Sequence, residues 1–219
     1  MRMMKSFILV LLITINLSAQ VEVGFQIARV KYNGGGDWYN DPSAEVNLLK
    51  FINNNTNIKV KPEYVFVELT DPQLFSFPVL FLTGHGNVVF SEAEVKSLKD
   101  YLIKGGFLFV DDDYGLDVPF RRELKKIFPD KGLVEIPFSH GIFHSVFEFP
   151  NGVPKTHEHD DMVSQAFGLF LGDRLAILYT FESNPSDGWA DKEVHNDSDK
   201  AREDALKFGT NVIVWAITN

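Results

Sequence analysis

Apolar positions along this chain switch period several times, and each switch marks an element. From Phe25 to Tyr32 apolar and polar residues alternate, as in a strand with one covered face, and the alternation returns from Pro62 to Leu69. Val79–Leu82 and Phe107–Val110 are unbroken apolar runs, the pattern of central parallel strands covered on both faces. Helical spacing lies between them. Val46, Leu48, Leu49, Phe51 and Ile52 form the inward stripe of a helix with Asp41 at its cap and Pro42 in its first turn. Ser91 to Lys104 predicts a second helix, with Ser91 and Glu94 spaced as a capping box and Gly105-Gly106 as its stop. A third runs from Asp117 to Phe128, with Phe120, Leu124, Ile127 and Phe128 inward. Leu133–Pro137 reads as a short strand, and Phe167–Leu171, Gly172-Asp173 and Arg174–Thr180 as a hairpin. Glu182 to Asp197 reads as a long polar loop before a closing helix from Ser198 to Ile217.

Strands alternating with helices imply a mainly parallel sheet between helical layers. The expected fold is α/β, a flavodoxin-like three-layer sandwich of strand order 2-1-3-4-5 with a C-terminal hairpin. In that order the loops after strands one and three flank the switch point where ligands are held. Gly34-Gly35-Gly36-Asp37-Trp38 then lies beside Gly84-His85-Gly86, with Asp111-Asp112-Asp113 next along the same edge.

A length of 219 residues suits one well-cored domain, and 45% hydrophobic residues with 20 Phe rule out a disordered chain. Residues 1–19 form a basic start, an apolar run and the small residues Ser18-Ala19 ahead of a cleavage point, so they are expected to be a signal peptide preceding one α/β domain over 20–219. The apolar run is too short to span a membrane, and no later segment qualifies, so the expected location is periplasmic or secreted. Loss of Arg2 and Lys5 with the leader moves the net charge from −9 to −11. Nucleic acid is therefore excluded as a partner, since phosphate binding needs clustered cations. With no Cys there are no disulfides and no thiol nucleophile.

The chemistry-bearing residues sit in the turns. Gly34-Gly35-Gly36 lacks both the dinucleotide spacing and the lysine of a phosphate loop. Glycines on either side of His85 let the backbone bend and a ligand approach. Three successive carboxylates at a strand end oppose one another, a cost that donors, solvent or a cation must offset. His140 and His144, four apart, could share a face, and with Asp113 they make the candidate metal ligands. The run His157-Glu158-His159-Asp160-Asp161 is a second possible metal cluster that reads first as a polar surface loop, and His195 amid Asp191, Glu193, Asp197 and Asp199 reads the same way.

Several motifs recur together in one family: Tyr32-Asn33-Gly34-Gly35-Gly36-Asp37-Trp38-Tyr39, Leu82-Thr83-Gly84-His85-Gly86, Gly105-Gly106-Phe107 leading to Asp111-Asp112, Phe120-Arg121-Arg122-Glu123-Leu124, His140-x-x-x-His144, Gly188-Trp189 and Gly209-x-Asn211. In these the chain resembles an uncharacterised bacterial domain-of-unknown-function family, family 4159, itself similar to the class I glutamine amidotransferase-like fold. The resemblance implies a flavodoxin-like sandwich but no activity, and the missing Cys contradicts amidotransferase chemistry. The leading expectation is an exported binding or accessory domain. Asp37, Trp38, Gly84, His85, Gly86, Asp111, Asp112 and Trp189 would hold a small polar ligand or an envelope protein, with the two tryptophans as stacking faces. The alternatives are a hydrolase with a divalent metal as cofactor, held by His and Asp at the same crevice, and a structural envelope module.

Overall fold

A computed structural model describes residues 24–157 and 161–219. The expected leader lies outside the described residues, as do Glu158, His159 and Asp160. In chain order the elements are β1 (Ile27–Lys31), α1 (Ala44–Asn55), β2 (Val65–Glu68), β3 (Val79–Leu82), α2 (Glu92–Ile103), β4 (Phe107–Asp111), α3 (Asp117–Ile127), β5 (Val134–Glu135), β6 (Gln165–Leu171), β7 (Arg174–Phe181), α4 (Pro185–Trp189), α5 (Lys192–His195) and α6 (Asp199–Thr218). The strands form one sheet in the order β2-β1-β3-β4-β7-β6-β5. From β2 to β7 neighbours run parallel, while β6 is antiparallel to both β7 and β5.

Central strands send alternate residues to opposite cores, which is why their sequences are apolar throughout. Leu80, Leu82, Leu108 and Val110 face Leu98 and Leu102 of α2 and Phe120 and Leu124 of α3. Val79, Phe81, Phe107 and Phe109 face Leu48 and Ile52 of α1 and Phe208 and Val212 of α6. The expected α/β sandwich with a parallel sheet and a C-terminal hairpin is what forms. The capping box forms too: Glu94 Oε2 accepts from the Ser91 backbone N–H at 2.7 Å, and Ser91 Oγ accepts from the Glu94 N–H at 3.3 Å.

Three local expectations need correction. The place beside β4 is taken by β7, whose buried apolar run suits a central strand. The exposed two-residue β5 pairs with Phe167 and Gly168 at the outer edge. Asp41 is not the cap of α1, because that helix starts at Ala44 after Ser43, and Asp41 sits at φ +44°. The segment from Glu182 to Ala190 is no surface loop: it is buried almost throughout and includes α4. Its anchor is Trp189, whose ring centre lies 5.4 Å from Phe81 and 5.9 Å from Phe109, and whose indole N–H donates to Ala205 O at 2.8 Å. Gly209 makes room for that ring, since a Cβ there would stand 2.7 Å from Trp189 Cζ2. No helix among the described residues is long and apolar enough to cross a membrane.

Candidate functional site

Parallel strands deliver the loops after β1, β3 and β4 to one rim, and hydrogen bonds join all three. The turn after β3 bends at Gly84 (φ +135°) and Gly86 (φ +81°). A Cβ at Gly84 would collide with the Tyr32 hydroxyl, which donates to Thr83 O at 3.1 Å, and would lie 3.1 Å from Asp37 Oδ1. Asp37 Oδ1 accepts from the His85 backbone N–H at 2.6 Å. His85 Nδ1 stands 3.1 Å from Asp37 Oδ2 and 3.2 Å from Asp113 Oδ2. Gly86 N donates to Tyr114 O at 2.8 Å, closing the ring of loops. Two carboxylates facing Nδ1 assign the proton to that nitrogen, leaving Nε2 as an acceptor on a ring whose side chain is 48% exposed.

Asp113 is held by the side-chain amides of two residues. Asn40 Nδ2 donates to its Oδ2 at 2.5 Å, and Asn184 Nδ2 donates to its backbone oxygen at 2.7 Å and its Oδ1 at 3.2 Å. Buried Arg29 sets the loop that carries Asn40: its guanidinium pairs with Glu45 and also donates to the carbonyls of Trp38 and Asn40. Asp112 Oδ1 accepts from Leu116 N at 2.8 Å and so anchors the entry to α3, while the Tyr179 hydroxyl lies 2.9 Å from its Oδ2. Burial, followed by the carboxylates of Asp117 and Asp113, pushes Asp112 up to about 6.

Below these loops, between the ends of β4 and β7, lies a cleft of about 360 Å³. Four carboxylates line it, from Asp112, Asp113, Asp117 and Glu182, with Asn184, Phe181 and Val118 completing the wall, and neither Lys nor Arg contributes. Glu182 is 6% exposed at φ +53°, and among the described residues its Oε2 is buried without a hydrogen-bond partner. A second acidic group adjoins the cleft. His195 Nε2 lies 2.8 Å from Asp41 Oδ2, and His195 Nδ1 lies 3.8 Å from Asp187 Oδ2. Burial and the nearby charges of Asp113, Asp111 and Asp41 push Asp187 up to about 9. Asp41, Asp187 and His195 offer ligand atoms that all lie within 4.8 Å of one another, so these three could hold a metal.

The structure brings Asp37, Gly84, His85, Gly86, Asp112 and Asp113 together on one rim, as the strand pattern predicts. Trp38 lies at its side, half-buried, with its ring centre 5.7 Å from Tyr39 and 5.3 Å from Phe66. Other expected positions are corrected. Asp111 is fully buried away from the cleft, accepting from Thr180 Oγ1 at 2.6 Å and from Ser186 N and Oγ at 2.9 and 2.6 Å, so it ties the Glu182–Ala190 segment to β4. Burial raises it to about 7. Trp189 is core and presents no stacking face.

His140 and His144 do not join Asp113. The His140 ring lies 4.8 Å from Trp215 and 6.2 Å from Phe170, and its Nδ1 caps the short 3₁₀ turn Gly141–Phe143. Phe170 pairs with Leu175, five residues before the Thr180 that pairs with Asp111, which sets the two regions about 17 Å apart along the sheet at ~3.3 Å per residue. His144 instead binds Glu148 Oε2 at 2.6 Å and Phe138 O at 2.8 Å. The residues that sequence reasoning missed are Asn40, Glu182, Asn184 and Asp187, while Asp41 reads there as a helix cap and His195 as part of a polar run with weak metal-ligand character. All occupy stretches read as a helix cap or a polar loop, and their partners are distant in the chain.

A family model described as "Domain of unknown function (DUF4159)" matches residues 26–217. Comparison with the curated proteins gives no match.

Proposed function

The chain belongs to the DUF4159 family of unknown function, and for it we propose the role of an exported binding domain whose cleft beside β4 and β7 takes a small polar ligand carrying an amine. One observation carries this reading: Glu182 lines the cleft, and among the described residues its Oε2 is buried with no hydrogen-bond partner. A buried carboxylate oxygen without a donor is costly, and an ammonium group supplies up to three donors together with the opposite charge. Asp112 and Asp113 add negative potential; Asp117 is paired with Arg121 at 2.6 Å, and neither Lys nor Arg is among the residues lining the cleft. A volume of about 360 Å³ suits a ligand of amino-sugar or dipeptide size. The basic start and apolar run of residues 1–19 support export. The Asp37–His85 contact would also serve a base, and assay of the bound ligand for breakdown separates a hydrolase from a binder.

A thermal-shift screen tests the reading, using n-butylamine, glucosamine and a dipeptide with a free amino terminus, each against its N-acetylated form. At ligand concentrations about 100 times Kd the folded state gains about 2.7 kcal/mol. For a chain of this size that is a rise of about 5–10 °C in melting temperature. At least one amine should give such a rise, its acetylated form should not, and Glu182→Gln should remove it. Equal shifts from amine and acetylated forms, no shift from any amine, or an undiminished shift in Glu182→Gln would overturn it.

A further inference from the structure

We propose that Asp41, Asp187 and His195 form a binding site for a divalent transition-metal cation of the Mn²⁺ or Zn²⁺ kind. The site goes beyond the cleft ligand and does not depend on it. Its three ligands come from separate pieces of chain: the loop ahead of α1, the helix α4 and the helix α5. Their atoms lie within 4.8 Å of one another, and drawing the widest pair to the ~3.4 Å that tetrahedral ligands on bonds of about 2.1 Å span takes a movement of at most ~1.4 Å.

Asp187 gives the second and independent reason. It is 3% exposed, and among the described residues its Oδ1 is buried without a hydrogen-bond partner. The charges of Asp113, Asp111 and Asp41 oppose its own, and among the described residues the only basic side chain paired with the carboxylate of Asp41 or Asp187 is His195. A divalent cation bound there in place of the proton would offset that opposition and give the carboxyl oxygens of Asp187 a partner. Two carboxylates with one imidazole suit Mn²⁺ or Zn²⁺, since the nitrogen ligand favours a softer ion than Mg²⁺ or Ca²⁺. Three protein ligands leave coordination positions open for water or a small molecule.

The surroundings hold the ligands in place. Asn47 Nδ2 donates to Trp189 O at 3.0 Å and to Asp191 Oδ1 at 2.9 Å, and the Asp191 N–H donates to Ser43 Oγ at 3.1 Å. These bonds staple the start of α1 to the α4–α5 segment, so Asp41 on one side is fixed relative to Asp187 and His195 on the other.

The test uses the full chain, stripped with EDTA and titrated with Mn²⁺ under calorimetric and EPR detection. One ion should bind per chain, and pulsed EPR on the unmutated protein should show nitrogen coupling from a ligated imidazole. His195→Ala should abolish that coupling, and both His195→Ala and Asp187→Asn should weaken binding at least about 100-fold. Glu182→Gln should leave Mn²⁺ binding intact, so failure of the cleft reading and failure of the metal site are told apart. The His195 side chain is 23% exposed on a four-residue helix, so His195→Ala remains a usable probe if Asp187→Asn does not fold. Substoichiometric binding, no nitrogen coupling, or unchanged affinity in His195→Ala would overturn the proposal.

Discussion

Replacing Arg29 by methionine should separate the stability of the sheet from the placing of its functional loops. Arg29 is wholly buried, and its Nε and one terminal nitrogen donate to the two oxygens of Glu45 at 2.6 and 2.7 Å. The other terminal nitrogen donates to Trp38 O and Asn40 Oδ1, both at 3.2 Å, and to Asn40 O. Removing the guanidinium leaves Glu45, 1% exposed, as a buried carboxyl without its partner, a loss of about 3–5 kcal/mol. The carbonyls that lose a charged donor add about 1–3 kcal/mol. A total of about 4–8 kcal/mol is a large share of the ~5–15 kcal/mol by which domains are stable. Arg29→Met with Glu45→Met removes the stranded carboxyl too, so the double variant should recover to within about 1–3 kcal/mol of wild type. Its loop at residues 38–41 would still lack an anchor, and ligand and Mn²⁺ binding should both weaken although the fold is restored. Urea denaturation of the four proteins of the cycle measures this. A single-variant loss under ~1 kcal/mol, or a double variant no more stable than the single, would refute the reasoning.

Gly84→Ala should destabilise by about 3–5 kcal/mol, combining a left-handed backbone cost of ~1–2 kcal/mol with overpacking against Tyr32 and Asp37, and chemical denaturation reads it. Asp112 gives a pH-dependent prediction. Its folded value of about 6 is above the ordinary 3.8, so the stability it contributes is complete below about pH 4 and is lost as the pH rises through 6. Asp112→Asn can keep both hydrogen bonds, accepting from Leu116 N and donating to the Tyr179 hydroxyl, whose own proton turns to Asp117 Oδ1 2.9 Å away. The stability of Asp112→Asn relative to wild type should therefore rise between pH 4 and 7, and a constant difference would contradict it.

How much of this was legible in the sequence depended on whether a residue's partners are local. The β4 run, the Ser91 capping box and the hairpin follow from neighbours within a few positions, and all formed. Convergence of Asp37, His85 and Asp113 followed from strand alternation alone, because parallel strands put their following loops on one rim. Asp41 was misread because Asp-Pro ahead of an apolar stripe is what a helix start looks like. Its carboxylate meets His195 instead, 154 residues later. The Glu182–Ala190 stretch looks solvated by composition, yet its Asn184 and Ser186 bond to Asp113 just past β4 and to Asp111 at its end, which no local period can register. Alternation from Phe25 to Tyr32 gives no sign that Arg29 is buried, since its partner Glu45 lies on another element. His140 and His144 have the spacing of metal ligands, but Trp215 and Glu148 engage them at a distance from the rim.

Convergence of the three loops is best tested at His85 itself, by ¹⁵N NMR of its imidazole. With Nδ1 facing Asp37 and Asp113, the neutral ring should carry its proton on Nδ1, and Asp37→Asn and Asp113→Asn should each shift that nitrogen's resonance. A ring protonated on Nε2, or an Nδ1 resonance indifferent to both substitutions, would contradict the shared rim.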